Sequence, residues 1–117
     1  MHDYRKLKAW QGARELVRLI YEASAGFPRS ERYGITSQVR AAAISIASNI
    51  AEGSGRGSDR DYARFIGFAI GSACEVETLL ILGHDLGYLE LAELNVFLVR
   101  IAQLRGMLLA FRLRLGS

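Results

Sequence analysis

Arginine is the residue type in this chain that points most directly to a chemistry. The 117 residues include 15 basic side chains, of which 13 are Arg and two, Lys6 and Lys8, are Lys. The guanidinium fork donates two hydrogen bonds to one phosphate, although genome composition can also raise the arginine content. The glycine-rich segment 53–58 places Arg56 before a predicted helix N-terminus, whose unpaired N–H groups attract phosphate. These residues indicate polyanion binding, with a flexible, solvated turn as the alternative.

The residue sets that metal or nucleophilic chemistry needs are missing from the sequence. Bundle di-iron sites use Glu-x-x-His motifs, whereas Ile81 precedes His84 at that spacing and His2 is the other histidine. No strand precedes segment 53–58 and no Gly-Lys-Ser/Thr follows it, so it is not a P-loop. Cys74 is expected to be a buried, inert thiol. We therefore predict no metal, no cofactor and no enzymatic activity.

Asn49, Glu52, Ser72 and Glu75 are the polar residues that could form an acid–base site. A carboxylate pair here would lack a nucleophile, a histidine and an obvious cleft. In a packed bundle, such groups hydrogen-bond across helices and fix their register. We interpret them as structural and expect Glu52 to pair with Arg56 or to accept from the loop backbone.

Three breaks divide the chain into four segments that are long enough for helices and too long for strands. The breaks are residues 26–30, 53–58 and 84–88. Short connections between such helices predict an all-α antiparallel up-down four-helix bundle. One domain over residues 1–117 is expected, with helices over about residues 4–25, 30–52, 58–84 and 90–115.

The apolar stripes and capping residues refine this prediction. Apolar residues recur at alternating three- and four-residue steps, as in the series from Leu94 to Leu115. Ser30 and Ser58 are predicted N-caps, and Gly53 is the predicted C-terminal glycine of the second helix. The later segments also carry extra apolar or small-residue faces beyond the single face that a bundle buries. A wide core face would explain them, but we favour burial against another subunit and predict a homo-oligomer.

Charges are segregated along the chain. Residues 1–64, 65–99 and 100–117 carry net charges of +4, −5 and +4, which give the total of +3. Up-down topology brings the chain termini and the second loop to one end, at about +5, and leaves about −3 at the other. Arg105 is assigned to the basic end and Glu77 to the acidic end. The side chains predicted to bind nucleic acid are Lys6, Lys8, Arg56, Arg60, Arg64, Arg112 and Arg114.

Repeated around a ring, this basic end would attract a polyanion, whereas an ordinary solvated surface is the alternative. The sequence displays no aromatic platform and no recognition helix. Binding is therefore expected to involve phosphates, to be salt-sensitive and to be weakly sequence-selective.

Residues 27–40, 45–53 and 69–75, with the run Asn-Ile-Ala-Glu-Gly at 49–53, resemble the bacterial 23S rRNA intervening-sequence proteins. The similarity extends from Leu7 into the fourth predicted helix. Many relatives carry proline where this chain has Ala47, which predicts a straighter second helix here. The family-motif positions, interpreted as structural, are Gln38, Arg40, Asn49, Glu52, Gly53, Ser72 and Glu75.

The resemblance implies a four-helix bundle that assembles as a cyclic, barrel-like homopentamer. Family members are encoded inside intervening sequences of large-subunit rRNA genes or stand alone on chromosomes. Related accessory proteins of diversity-generating retroelements bind nucleic acid and a reverse transcriptase. No catalytic residues are established for the family, so none is carried over.

Two functions follow from these observations. The first is a non-enzymatic, homo-oligomeric nucleic-acid-binding protein, with RNA favoured over DNA. The second is an adaptor for a protein such as a reverse transcriptase, without intrinsic nucleic-acid affinity. A small-ligand bundle is a third, weaker reading and would need a large closed apolar cavity. The charged N-terminus and the lack of an apolar run of about 18 residues predict a cytoplasmic protein with no membrane contact.

Overall fold

The computed structural model describes residues 3–116, which form four α-helices and no strand. The helices are α1 (Lys8–Ser24), α2 (Ile35–Ser54), α3 (Asp59–Asp85) and α4 (Leu91–Arg114), with short 3-10 helices at Tyr4–Lys6 and Arg29–Glu31. The molecule measures 43 × 24 × 20 Å. The predicted all-α class is confirmed, and α2 runs without interruption through residue 47.

The helix ends differ from the predicted ones at two capping positions. Ser30 does not cap α2, because it lies in the preceding 3-10 helix, and Gly34, with ψ at −122°, separates that turn from α2. Gly53 lies inside α2, whose C-cap is Gly55. The Ser58 cap of α3 is confirmed, since its Oγ accepts from the Asp61 backbone N–H at 3.1 Å.

One face of every helix contributes to a single hydrophobic core. The stripe from Ile35 to Ile50 on α2 and the series from Leu94 to Leu115 on α4 are buried as the spacing predicts. On α1, Leu16 is buried, whereas Trp10 is only half-buried. The Trp10 ring instead meets Tyr4 edge-on at 5.3 Å between centroids, which ties the N-terminal turn to α1.

Three contacts along α2 and α3 hold these two helices together. Ile35 lies beside Gly83, and Ser45 Oγ is 2.9 Å from Ser72 Oγ. At Gly53 the helices approach so closely that a Cβ there would lie 2.7 Å from Tyr62 Cδ1. Only glycine fits this contact without displacing an aromatic ring, which gives Gly53 a packing role in place of the predicted capping role.

Helices α3 and α4 are each long and apolar enough to cross a membrane by length and composition alone. Core helices of soluble proteins pass the same test. In each helix, 33% of the most apolar window is buried inside the subunit. Neither window is an uninterrupted apolar run of about 18 residues, because Glu75 and Glu77 interrupt α3 and Arg100 and Arg105 interrupt α4. Much of the apolar content of α3 and α4 nevertheless lies outside the subunit core.

Candidate nucleic-acid interface

Six of the seven basic residues predicted to bind nucleic acid line two grooves beside the last turns of α4. The arginine groove is lined by Arg60, Arg64, Gly67, Phe68 and Arg112. The lysine groove is lined by Lys6, Leu7, Lys8, Ala9, Met107, Ala110, Phe111 and Arg114. Both grooves join the end of α4 to another segment, and we call this part of the molecule the basic end.

Asp61 organises two arginines at the start of α3. Its carboxylate accepts from Arg56 Nε at 2.8 Å and from Arg64 Nε at 2.9 Å. These hydrogen bonds hold the pKa of Asp61 below its usual range. Arg56 thereby joins the edge of the arginine groove, although it does not line it. The predicted pairing of Glu52 with Arg56 is met only in part: the hydrogen bond from Arg56 Nε to Asp61 is the main cause that raises the pKa of Arg56, and the charge of the exposed Glu52 adds to it.

Two phenylalanines interleave with these arginines. Phe65 and Phe68 meet edge-to-face, with centroids 5.4 Å apart. The Arg64 guanidinium lies 5.1 Å from the Phe65 centroid and 5.6 Å from that of Phe68. Arg56 lies 5.1 Å from Phe65. This arrangement of aromatic rings beside arginines was not predicted from the sequence. The spacing of Arg64 and Phe68 by four residues, one turn of α3, is the signal that could have revealed it.

Gly67 makes room for Arg112 within the arginine groove. A Cβ on Gly67 would lie 3.3 Å from the Arg112 guanidinium carbon, so the side chain of α4 lies directly over the backbone of α3. Arg60, by contrast, makes no ion pair with any residue between 3 and 116. Three guanidinium groups from two helices therefore line one shallow, open groove.

Two sequence expectations fail near the middle of α3. Arg105 Nη1 donates to Glu77 Oε2 at 3.3 Å, so these two residues lie side by side rather than at opposite ends. Cys74 is exposed, 3.9 Å from Arg105 Nη1. The predicted buried thiol is wrong because Cys74 follows the buried Ala73 and lies about 100° further round the helix.

The family-motif residues take structural positions or lie on the surface. Asn49 Nδ2 donates to Ser45 Oγ at 3.0 Å and to the Ser45 carbonyl at 2.8 Å, extending the Ser45–Ser72 contact. Arg40 Nε donates to Ser24 Oγ at 2.7 Å, and its guanidinium lies 4.4 Å from the Tyr21 ring centroid. Gln38, Glu52 and Glu75 are exposed.

The part of the chain that the structure describes brings together no group of three or more metal-ligating side chains. His84 Nδ1 lies 2.9 Å from the Leu89 carbonyl oxygen, where it contacts the turn after α3. His2 lies outside the described residues.

These features define an all-α protein with an arginine-rich groove at one end. The model of the 23S rRNA-intervening sequence protein family matches residues 5–110, and the chain belongs to this family. A similar solved structure is that of a protein of unknown function from the S23 ribosomal protein family of Bacteroides thetaiotaomicron. It is 18% identical, with a TM-score of 0.79 over 89% of this chain and 97% of that chain. No curated protein matches.

Proposed function

We propose that this protein is a non-enzymatic, homo-oligomeric nucleic-acid-binding protein that holds the phosphates of RNA at its basic end. The observation that carries the proposal is the convergence of Arg60, Arg64 and Arg112 on one groove. Guanidinium groups bind phosphate oxygens through paired, charge-assisted hydrogen bonds. The family's description, which names an intervening sequence of 23S rRNA, supports RNA as the ligand.

The helices are proposed to form an antiparallel up-down bundle. This arrangement is supported by the order of contacts along α2 and α3. The start of α2 contacts the end of α3 at Ile35 and Gly83, and the end of α2 contacts the start of α3 at Gly53 and Tyr62. In such a bundle the 3-10 helix at Tyr4–Lys6, the α2–α3 loop and the end of α4 lie at the same end. The arginine and lysine grooves then lie at the same end of the bundle, on two sides of the last turns of α4.

Only part of the charge at the basic end is compensated within the subunit. Asp61 is shared by Arg56 and Arg64, so one carboxylate serves two guanidinium groups. Lys6, Lys8 and Arg114 add positive charge in the lysine groove. A basic surface whose charge is only partly compensated attracts a polyanion, because binding releases the counterions condensed on the nucleic acid, and this attraction weakens as the salt concentration rises.

The assembly is proposed to be a cyclic homopentamer, as the resemblance implies. Its support is the apolar surface that the subunit leaves exposed. Away from the arginine groove, the exposed large apolar side chains on α3, at its C-cap and on α4 are Ile81, Leu82, Leu86, Leu91, Val96, Val99, Leu109 and Leu113. Surplus apolar surface of this kind marks an interaction site in a folded protein. A ring would bury it and would present five copies of the arginine groove.

The nucleic-acid claim is tested by fluorescence anisotropy of a labelled 12-nucleotide RNA over a series of salt concentrations. We expect binding at low salt, and a log–log salt slope of about −2 to −3 per subunit if three or four arginines each contact a phosphate. Absence of binding at low salt would contradict the proposal. Co-purification of a protein partner in that case would favour the adaptor function.

The oligomer claim is tested by light scattering of the purified protein. We expect a mass of about 65 kDa, five times the 12.9 kDa subunit. Val99→Glu, on the outer face of α4, should lower the mass, whereas the control Tyr33→Glu, in the α1–α2 loop, should not. A mass of one subunit at all concentrations would contradict the proposal. Recovery only with lipid vesicles would assign the apolar faces to a membrane.

A further inference from the structure

We infer that the arginine groove binds single-stranded nucleic acid by stacking an unpaired base on Phe68. This inference rests on the proposed function and names its ligand class. Phe68 is 48% exposed, which is unusual for a phenylalanine on a helix that also supplies the core. It lines the same groove as Arg60, Arg64 and Arg112, which places an aromatic ring beside the three guanidinium groups proposed to bind phosphate.

The phenylalanine ring is supported from the protein side. Phe65 is half-buried and meets Phe68 edge-to-face at an interplanar angle of 77°. Arg64 contacts both rings and also bonds to Asp61, so its guanidinium is fixed relative to Phe68. A platform that is held in place before binding loses less conformational entropy when a base stacks on it.

The groove has the composition that single-strand binding requires. Proteins that hold single strands combine a basic groove, which follows the backbone, with aromatic rings on which bases stack. Duplexes keep the faces of their bases covered, so an exposed phenylalanine contributes nothing to duplex binding beyond ordinary contact. Phosphate contacts alone, in contrast, would bind single and double strands without distinguishing them. Phe68 therefore selects for an unpaired base.

The same molecule offers a matched control at its other end. Tyr33 is 84% exposed, and Arg32 lies 5.3 Å from its ring centroid. It thus repeats the pairing of an exposed aromatic ring with an arginine. Tyr33 lies in the α1–α2 loop and lines neither the arginine groove nor the lysine groove. An aromatic ring with one arginine, but without the basic groove, should not bind a base.

The test compares Phe68→Leu with Tyr33→Leu, using one labelled 12-nucleotide RNA as a single strand and as a duplex. Phe68→Leu keeps the apolar character but removes the aromatic face, so single-strand affinity should fall about 10-fold while duplex affinity stays within about 2-fold. Tyr33→Leu should leave both affinities within about 2-fold. Equal affinities of Phe68→Leu and wild type for the single strand would overturn the inference.

Phe68→Trp supplies a direct readout that does not depend on stability or assembly. Stacking of a base should quench the added tryptophan fluorescence on titration with the single strand, and the duplex should not. Wild type, which contains Trp10, gives the background signal. Absence of quenching in a variant that still binds RNA would overturn base stacking and leave the proposed function intact. If wild type binds neither RNA, both the proposed function and this inference fail.

Discussion

Two carboxylates, Glu31 and Asp61, lie beyond opposite ends of α2 and have different partners. Glu31 Oε2 accepts from the Tyr88 hydroxyl at 2.9 Å and joins the α1–α2 loop to the α3–α4 turn. This hydrogen bond raises the pKa of Tyr88. Asp61 instead holds two arginines side by side at the start of α3. Glu31 therefore links two loops of the fold, whereas Asp61 positions two arginines at the surface.

The positive charges differ between the two regions as well. Beyond the start of α2, which we call the far end, Arg32 and Tyr33 form an isolated contact in the α1–α2 loop. At the basic end, the same kind of contact, between Arg64 and Phe68, lies in a groove with two more arginines. The comparison teaches that an arginine beside an aromatic ring does not distinguish the regions, because each region has one. The convergence of three arginines on one groove does.

The largest expected effect is on stability and comes from a substitution that disrupts the helix packing behind the basic end. Gly53→Ala would place a methyl group 2.7 Å from Tyr62 and 2.8 Å from Phe65 Cβ. Overpacking at a helix contact of this kind should lower the free energy of unfolding by about 3 kcal/mol, measured by urea denaturation.

Gly71→Ala is the matched control for Gly53→Ala, since a Cβ at this helical glycine of α3 meets no atom within 4 Å. Higher helix propensity should raise the free energy of unfolding by up to about 1 kcal/mol. Equal effects of the two substitutions would show that α2 and α3 are not in close contact at Gly53.

The second expected effect concerns the buried phenol of Tyr62, which packs against Gly53. Burial raises the pKa of Tyr62 to about 12, from an ordinary value near 10. The folded state therefore favours the neutral phenol, and this contribution is complete below pH 10 and lost as the pH rises from about 10 to 12. Urea denaturation at pH 9 and pH 12 should show a loss on the order of 2 kcal/mol that Tyr62→Phe does not share. Identical pH profiles would contradict this burial.

The third and smallest expected effect concerns Arg40, which lies in α2 and packs against α1 away from the basic end. Arg40→Lys cannot keep both the hydrogen bond to Ser24 and the stacking on Tyr21. The free energy of unfolding should fall by about 1 kcal/mol, while RNA affinity should not change. Gln38→Ala, at an exposed position of the same helix, should change neither quantity. A loss of RNA affinity in Arg40→Lys would place part of the binding surface outside the basic end.

Much of the fold could be predicted because helical periodicity is a local property of the sequence. The buried residues of α2 and α4 follow from their spacing alone. The start of α2 could not be predicted. Ser30 has the side chain of an N-cap, but the conformation of Gly34 decides where the helix begins. The role of Gly53 was also hidden, since a close helix contact depends on which residues of α3 lie opposite.

The charged residues of the candidate site could be predicted from the sequence, whereas several contacts between its residues could not. Lys6, Lys8 and Arg114 meet in one groove although they are far apart in the sequence. Arg105 was misplaced because the register between α3 and α4, which places it beside Glu77, is set by packing. Phe68 was overlooked because an aromatic residue in an apolar helix is indistinguishable from a core residue until its exposure is known.

The central claim is that the basic end, and not the total positive charge, binds nucleic acid. The most direct measurement compares two charge-matched triple variants for single-stranded RNA at low salt. One replaces Arg56, Arg60 and Arg64 by Ala at the basic end, and the other replaces Arg18, Arg29 and Arg32 by Ala elsewhere. We predict at least about a 10-fold loss of affinity for the first variant and less than about 2-fold for the second, since only the first removes clustered phosphate contacts. Equal losses, or no loss in either variant, would contradict the claim.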